Sequence, residues 1–77
     1  MDINMVDVTI HINENIGLEK KRGIEDKIRS MDGVLSVGYH QEKPHLMVVE
    51  YNPDEMSSEK LLSTITESGV HAQLIGL

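Results

Sequence analysis

Residues Met5–Ile12 read M-V-D-V-T-I-H-I, and the stretch from about Gly17 to Met31 reads G-L-E-K-K-R-G-I-E-D-K-I-R-S-M. In the first, Val6, Val8, Ile10 and Ile12 alternate with Asp7, Thr9 and His11, the period of a strand with one buried face. In the second, Lys21, Ile24, Ile28 and Met31 recur at steps of three, four and three, the spacing of one helix face. Asn13-Glu14-Asn15 separates the two periods with turn formers. Asp32-Gly33 ends the helix and places glycine where a left-handed residue is wanted. Gly23, inside the helix, costs up to ~1 kcal/mol relative to alanine, so either close packing compensates there or the helix is weak.

Beyond that turn, Val34–His40 forms a second strand, with Val37 and Tyr39 on one face and Ser36, Gly38 and His40 on the other. Gln41-Glu42-Lys43-Pro44 is a polar turn. His45–Tyr51 is a third strand whose Met47, Val49 and Tyr51 point inward and whose Leu46 and Val48 point outward. Asn52-Pro53-Asp54 stops it. Ser57 has the residue type of an N-cap and Glu59 lies in the first turn, where the helix dipole favours an acid. The helix Ser58–Ser68 carries Leu61, Leu62 and Ile65 on one face, and Gly69 closes it. Val70–Leu77 then alternates Val70, Ala72 and Leu74 against His71, Gln73 and Ile75 as a fourth strand. Two strand-helix-strand units in succession predict an α+β, ferredoxin-like βαββαβ sandwich. Right-handed crossovers place both helices on one face of a four-stranded antiparallel sheet of order 4-1-3-2. Residues 1–77 make one domain with a core over about 6–75.

Composition narrows the function. A 77-residue chain buries roughly 60% of its unfolded surface, enough for a single two-layer core without a deep substrate cavity. There is no Trp or Phe, so Ile, Leu, Val and five Met fill that core beside Tyr39 and Tyr51. A net charge of −6 argues against nucleic acid and against an anionic membrane surface, both of which need a surplus of Lys and Arg. No segment approaches the ~20 apolar residues of a bilayer span. Met1-Asp2-Ile3-Asn4-Met5 shows neither a basic nor an apolar leader segment, so the cytoplasm is the default expectation. With no cysteine there is neither a disulfide nor thiolate chemistry.

Several short motifs in order resemble the heavy-metal-associated domain family. Met31-Asp32-Gly33-Val34 followed by Val37 is similar to that family's G-V-x-x-V stretch, and Tyr51-Asn52-Pro53-Asp54 to its Y-D-P turn, with Asn for Asp. Ser57, Leu61, Ile65 and Ser68-Gly69-Val70 are similar to its second helix and final G-Y, with Val for Tyr. The similarity covers about residues 6–75 without a gap through the first helix. It implies the same fold, and a Cys-x-x-Cys pair binding a soft cation such as Cu(I) between the first strand and the first helix. Counting back from Gly33-Val34, those cysteines correspond to Gly17 and Lys20. Neither ligates a metal, and Lys20 puts a positive charge where the cation would sit. The resemblance therefore implies the fold without the thiolate site.

Four histidines are the remaining metal candidates. His40 and His45 flank the hairpin turn, and His11 comes off the end of the first strand. Glu50 is expected beside His11, on the supposition that the third strand runs parallel to the first. His71 starts the fourth strand. No recognised ligand spacing joins them, and solvated surface histidines are the plainer reading; a site built from them would suit Zn²⁺, Ni²⁺ or Cu²⁺. Lys20-Lys21-Arg22 opposes the helix dipole, a mismatch of roughly 0.3–1 kcal/mol per charge. It is either a seat for a phosphate or a partner's carboxylate, or a solvated turn balanced by Glu14, Glu19, Glu25 and Asp26. Thr9, Leu46, Val48 and Ile75 are expected together on the open sheet face, a patch that signals association. No serine has a partner base and no glycine-rich phosphate loop is present, so the chain is not expected to be an enzyme. The preferred reading is a cofactor-free binding or assembly module acting through protein contacts, with itself as homodimer or with another protein. A His/carboxylate metal handler is the alternative, and a small-molecule sensor at Asn13, Asn15 and Lys20 stands third.

Overall fold

The computed structural model describes residues 4–76. Its elements are β1 (Val6–Ile12), α1 (Leu18–Arg29), β2 (Val34–Tyr39), β3 (Leu46–Tyr51), α2 (Ser58–Thr66) and β4 (Ala72–Gly76). The sheet order is β2-β3-β1-β4, which is the expected 4-1-3-2, and every neighbouring pair is antiparallel.

The period-two stripe of β1 does what its alternation dictates. Val8, Ile10 and Ile12 are buried, facing Val49 and Met47 from β3, with Ile24 and Ile28 of α1 and Leu61 and Ile65 of α2 in the same core. Burying each such side chain contributes roughly 1.5–3 kcal/mol relative to leaving it in water. Val6 shares their phase but lies at the strand's end, and it is exposed.

Boundaries shift where local signals compete. α1 stops at Arg29, and Met31 packs against the core from just beyond the helix. Its carbonyl accepts from Val34 N across the turn. α2 ends at Thr66 and β4 begins at Ala72, although Val70 is buried as its apolar character requires. Leu77 lies outside the described residues.

Two glycines have positive φ, Gly33 at 89° and Gly69 at 92°, and each follows a helix as expected. Gly33 also accepts from Asn52 N at 2.7 Å, tying the turn before β2 to the turn after β3. Ser57 caps α2, its hydroxyl accepting from Lys60 N at 3.1 Å. Gly17 occupies the N-cap of α1 and supplies no side-chain cap. Gly23 has no neighbour that a methyl group would meet within 4 Å, so packing does not compensate its entropic cost.

One sequence expectation is corrected by the strand direction. β3 runs antiparallel to β1, so His11 lies opposite Leu46, while Glu50 lies opposite Asp7 at the far end of the pair. His11 and Glu50 are not neighbours.

Candidate functional site

The face of the sheet away from the helices is built from three cross-strand rows. In one, Asp7, Glu50 and Ser36 stand side by side; in the next, Thr9, Val48 and Gly38; in the third, Gln73, His11 and Leu46. The face thus grades from carboxylates through small and aliphatic groups to imidazole. Ser36 Oγ donates to Glu50 Oε1 at 2.7 Å. Because Gly38 has no side chain, an open depression of about 450 Å³ lies there, lined by Asp7, Ser36, Gly38, His40, Val48 and Glu50. Thr9, Leu46 and Val48 are half-buried, since strands on both sides flank a mid-sheet residue; Ile75, on edge strand β4, is exposed.

The histidine end differs from what the turn alone implied. His45 stacks on His11, ring centroids 5.6 Å apart and planes 15° from parallel. Its Nδ1–H donates to the Ile12 carbonyl at 2.6 Å. His11 Nδ1–H donates to Asn13 Oδ1 at 3.1 Å. His40 turns back on its own loop, where Nδ1 accepts from Glu42 N at 3.2 Å. His71 meets Glu14 instead: its backbone N–H donates to Oε1 at 2.8 Å and its Nδ1–H to Oε2 at 2.6 Å. Those two bonds hold the Glu14 carboxyl below the usual carboxylate range. Among the described residues no group of three or more His, Asp or Glu converges as a metal cage.

The register brings the backbone of His45 close to β1, but its ring reaches His11 through the bond to the Ile12 carbonyl, which the sequence does not signal. Once His11 is set opposite Leu46, the residue before Leu46 must lie beside Ile12. The Glu14–His71 bond, spanning 57 residues, had no sequence signal at all.

The basic run is explained in part by packing. Lys21 Nζ sits 5.2 Å from the centre of the Tyr39 ring, and Tyr39 OH donates to the Lys21 carbonyl at 3.1 Å. Burial, with a smaller contribution from Glu25, pushes the Tyr39 phenol up to about 12. Lys20 Nζ lies 3.7 Å from where a Gly69 methyl would stand, beside the C-terminal end of α2, whose own last turn has no basic residue. A cation there is favourable to the α2 dipole and offsets the mismatch at the start of α1. Arg22 is exposed. Three of the four expected balancing acids are engaged elsewhere, for Glu25 and Asp26 pair with Arg29 and Glu14 with His71.

No family model and no curated protein matches the sequence, but solved structures do. The N-terminal domain of a potential copper-translocating P-type ATPase from Bacillus subtilis, solved with Cu(I), superposes with a TM-score of 0.84 at 22% identity, over 94% of this chain and 89% of that one. The yeast copper transporter domain CCC2A gives 0.80 at 14% identity over 90% and 93%, and oxidised MerP from Ralstonia metallidurans CH34 gives 0.79 at 18% over 91% and 96%. The fold is the heavy-metal-associated fold. Within that fold this chain places Gly17 and Lys20 at the N-terminus of α1, and it has no cysteine. No helix is long and apolar enough to cross a membrane among the described residues.

Proposed function

We propose that this chain is a non-enzymatic binding module of heavy-metal-associated fold, without a thiolate site, that pairs with a second copy of itself through the open sheet face. The observation that carries the reading is the gradient on that face. A two-fold axis crossing the strands at Val48 sets the carboxylate end of one copy over the histidine end of the other. The second copy's Asp7 then faces His11, and Val48 meets Val48 at the axis. Such a patch is self-complementary, the requirement for an isologous dimer. Sheets packed face to face lie about 10 Å apart with strands within roughly 30° of each other. Four strands at ~4.8 Å by six residues at ~3.4 Å make a face of roughly 350–400 Å². That is about half of the ~800 Å² per partner typical of a stable complex, so the dimer is weak and exchanges readily.

Two further observations support the non-catalytic, thiolate-free part. The hydroxyls of Ser30, Ser57 and Ser63 are engaged with helix backbone, and Ser36 meets its carboxylate on an open face. A soft cation prefers thiolate or thioether sulfur; the positions matching the family pair hold Gly17 and Lys20, and the ammonium of Lys20 repels a cation.

Sedimentation of the wild type and Val48→Glu at concentrations up to about 1 mM, where weak complexes populate, tests the pairing. The wild type should show concentration-dependent dimer. Val48→Glu should remain folded and monomeric, because two like charges meet at the axis while the helix-side core is untouched. A wild type that stays monomeric across that range, or a variant that dimerises equally, overturns the reading.

A further inference from the structure

We propose that His11 and His45 form a two-imidazole site for a late first-row divalent cation, of the Zn²⁺, Ni²⁺ or Cu²⁺ class, at the end of the sheet where β1 finishes and β3 begins. Imidazole binds such ions through a ring nitrogen that carries a lone pair, and the hydrogen bond at the other nitrogen decides which one that is. A carbonyl oxygen only accepts. Ile12 O therefore fixes the proton of His45 on Nδ1, and Asn13 Oδ1 does the same for His11. Both Nε2 atoms are left with free lone pairs on rings that already lie face to face. His40 has the opposite tautomer: its Nδ1 accepts from Glu42 N, so its Nε2 bears the proton. The structure thus moves the metal-binding candidate from the turn pair His40 and His45 to the cross-strand pair His11 and His45.

Orientation decides what must move. Each Nε2 lone pair lies in its ring plane, and the two planes are only 15° from parallel, so one ring must tilt before both nitrogens can reach one ion at about 2.0–2.1 Å. His11 is the one able to, since a single side-chain bond to exposed Asn13 holds it, while His45 is anchored to the backbone of β1. With no third protein ligand among the described residues, the remaining coordination positions go to water. The ion is then held modestly and exchanges readily. The net charge of −6 favours cation approach.

Calorimetric titration with Zn²⁺ and Ni²⁺ near pH 7.5, at protein concentrations below dimerisation, tests the site. One ion should bind per chain. His11→Gln should weaken binding by at least about tenfold, whereas His40→Gln and His71→Gln should leave it unchanged. Affinity should also drop at about pH 5.5, where protons compete for the Nε2 lone pairs. His45→Gln loses a backbone contact and can unfold, so imidazole ¹⁵N spectra of the wild type provide the second reading. Zn²⁺ should shift the Nε2 resonances of His11 and His45 and leave those of His40 in place. Absence of binding in the wild type, unchanged binding in His11→Gln, or loss in His40→Gln or His71→Gln overturns the proposal. Val48→Glu should keep the metal site intact, which separates failure of this inference from failure of the pairing.

Discussion

Replacing Gly33, Gly69 and Gly23 with alanine one at a time should give three different results, because the three glycines serve different physical ends. At Gly69 the methyl group meets only Lys20 Nζ, at 3.7 Å, a flexible tip that can step aside. What remains is the cost of holding alanine at φ 92°, about 1–2 kcal/mol for a left-handed residue. At Gly33 the same backbone penalty applies at φ 89°, and the methyl group would also stand 2.8 Å from Glu55 Cβ and 3.2 Å from Met56 Cβ. Those atoms are fixed to the chain, so the turn before α2 must shift. Overpacking of this kind adds about 1–3 kcal/mol, making the total about 2–5 kcal/mol. A domain this size has roughly 4–12 kcal/mol of stability at 0.05–0.15 kcal/mol per residue. The melting temperature should therefore fall by about 8–40 °C for Gly33→Ala and about 4–16 °C for Gly69→Ala, at 4–8 °C per kcal/mol. Gly23 has a helical neighbourhood and open space around it, so Gly23→Ala should raise stability by up to about 1 kcal/mol. Equal losses at Gly33 and Gly69, or any loss at Gly23, would refute the steric account.

Tyr39 gives a pH dependence of defined sign. Its folded phenol titrates at about 12 against ~10 unfolded, so the unfolded chain ionises first and stability is lost as pH rises from 10 towards 12. Tyr39→Phe should flatten the melting temperature across that window relative to wild type, and a slope unchanged by the substitution would remove Tyr39 as its cause. Cu(I) titrated in competition with a chelator should bind no better than to an unrelated protein of comparable Met and His content, because no thiolate is available; stoichiometric, tight binding would show that other ligands take the place of thiolate here.

The legible part of this molecule is whatever depends on side-chain period. Alternation in β1 named the buried face of the sheet, and the apolar residues of both helices named the other half of the core, so fold and strand order followed from residues such as Ile10, Ile28 and Ile65. The boundaries at Arg29 and Ala72 were less legible, because buried residues beyond an element, Met31 and Val70, continue its apolar pattern without its hydrogen bonds. The surface was least so. Whether His45 turns to His40 or to His11 depends on register and on which backbone carbonyl lies in reach, here that of Ile12. Lys20 looked like a mismatch within its own helix, and its compensation lies on a different one.

The sheet order has a consequence for how the chain is made. β1 is flanked by β3 on one side and β4 on the other, so the first strand of this domain is paired by its third and its fourth. Until residues 72–76 emerge, the backbone groups along one side of β1 have no partner, and an unpaired strand edge is a template for another chain. A product cut before Ala72 therefore carries an open edge along β1, the strand that supplies Val8, Ile10 and Ile12 to the core.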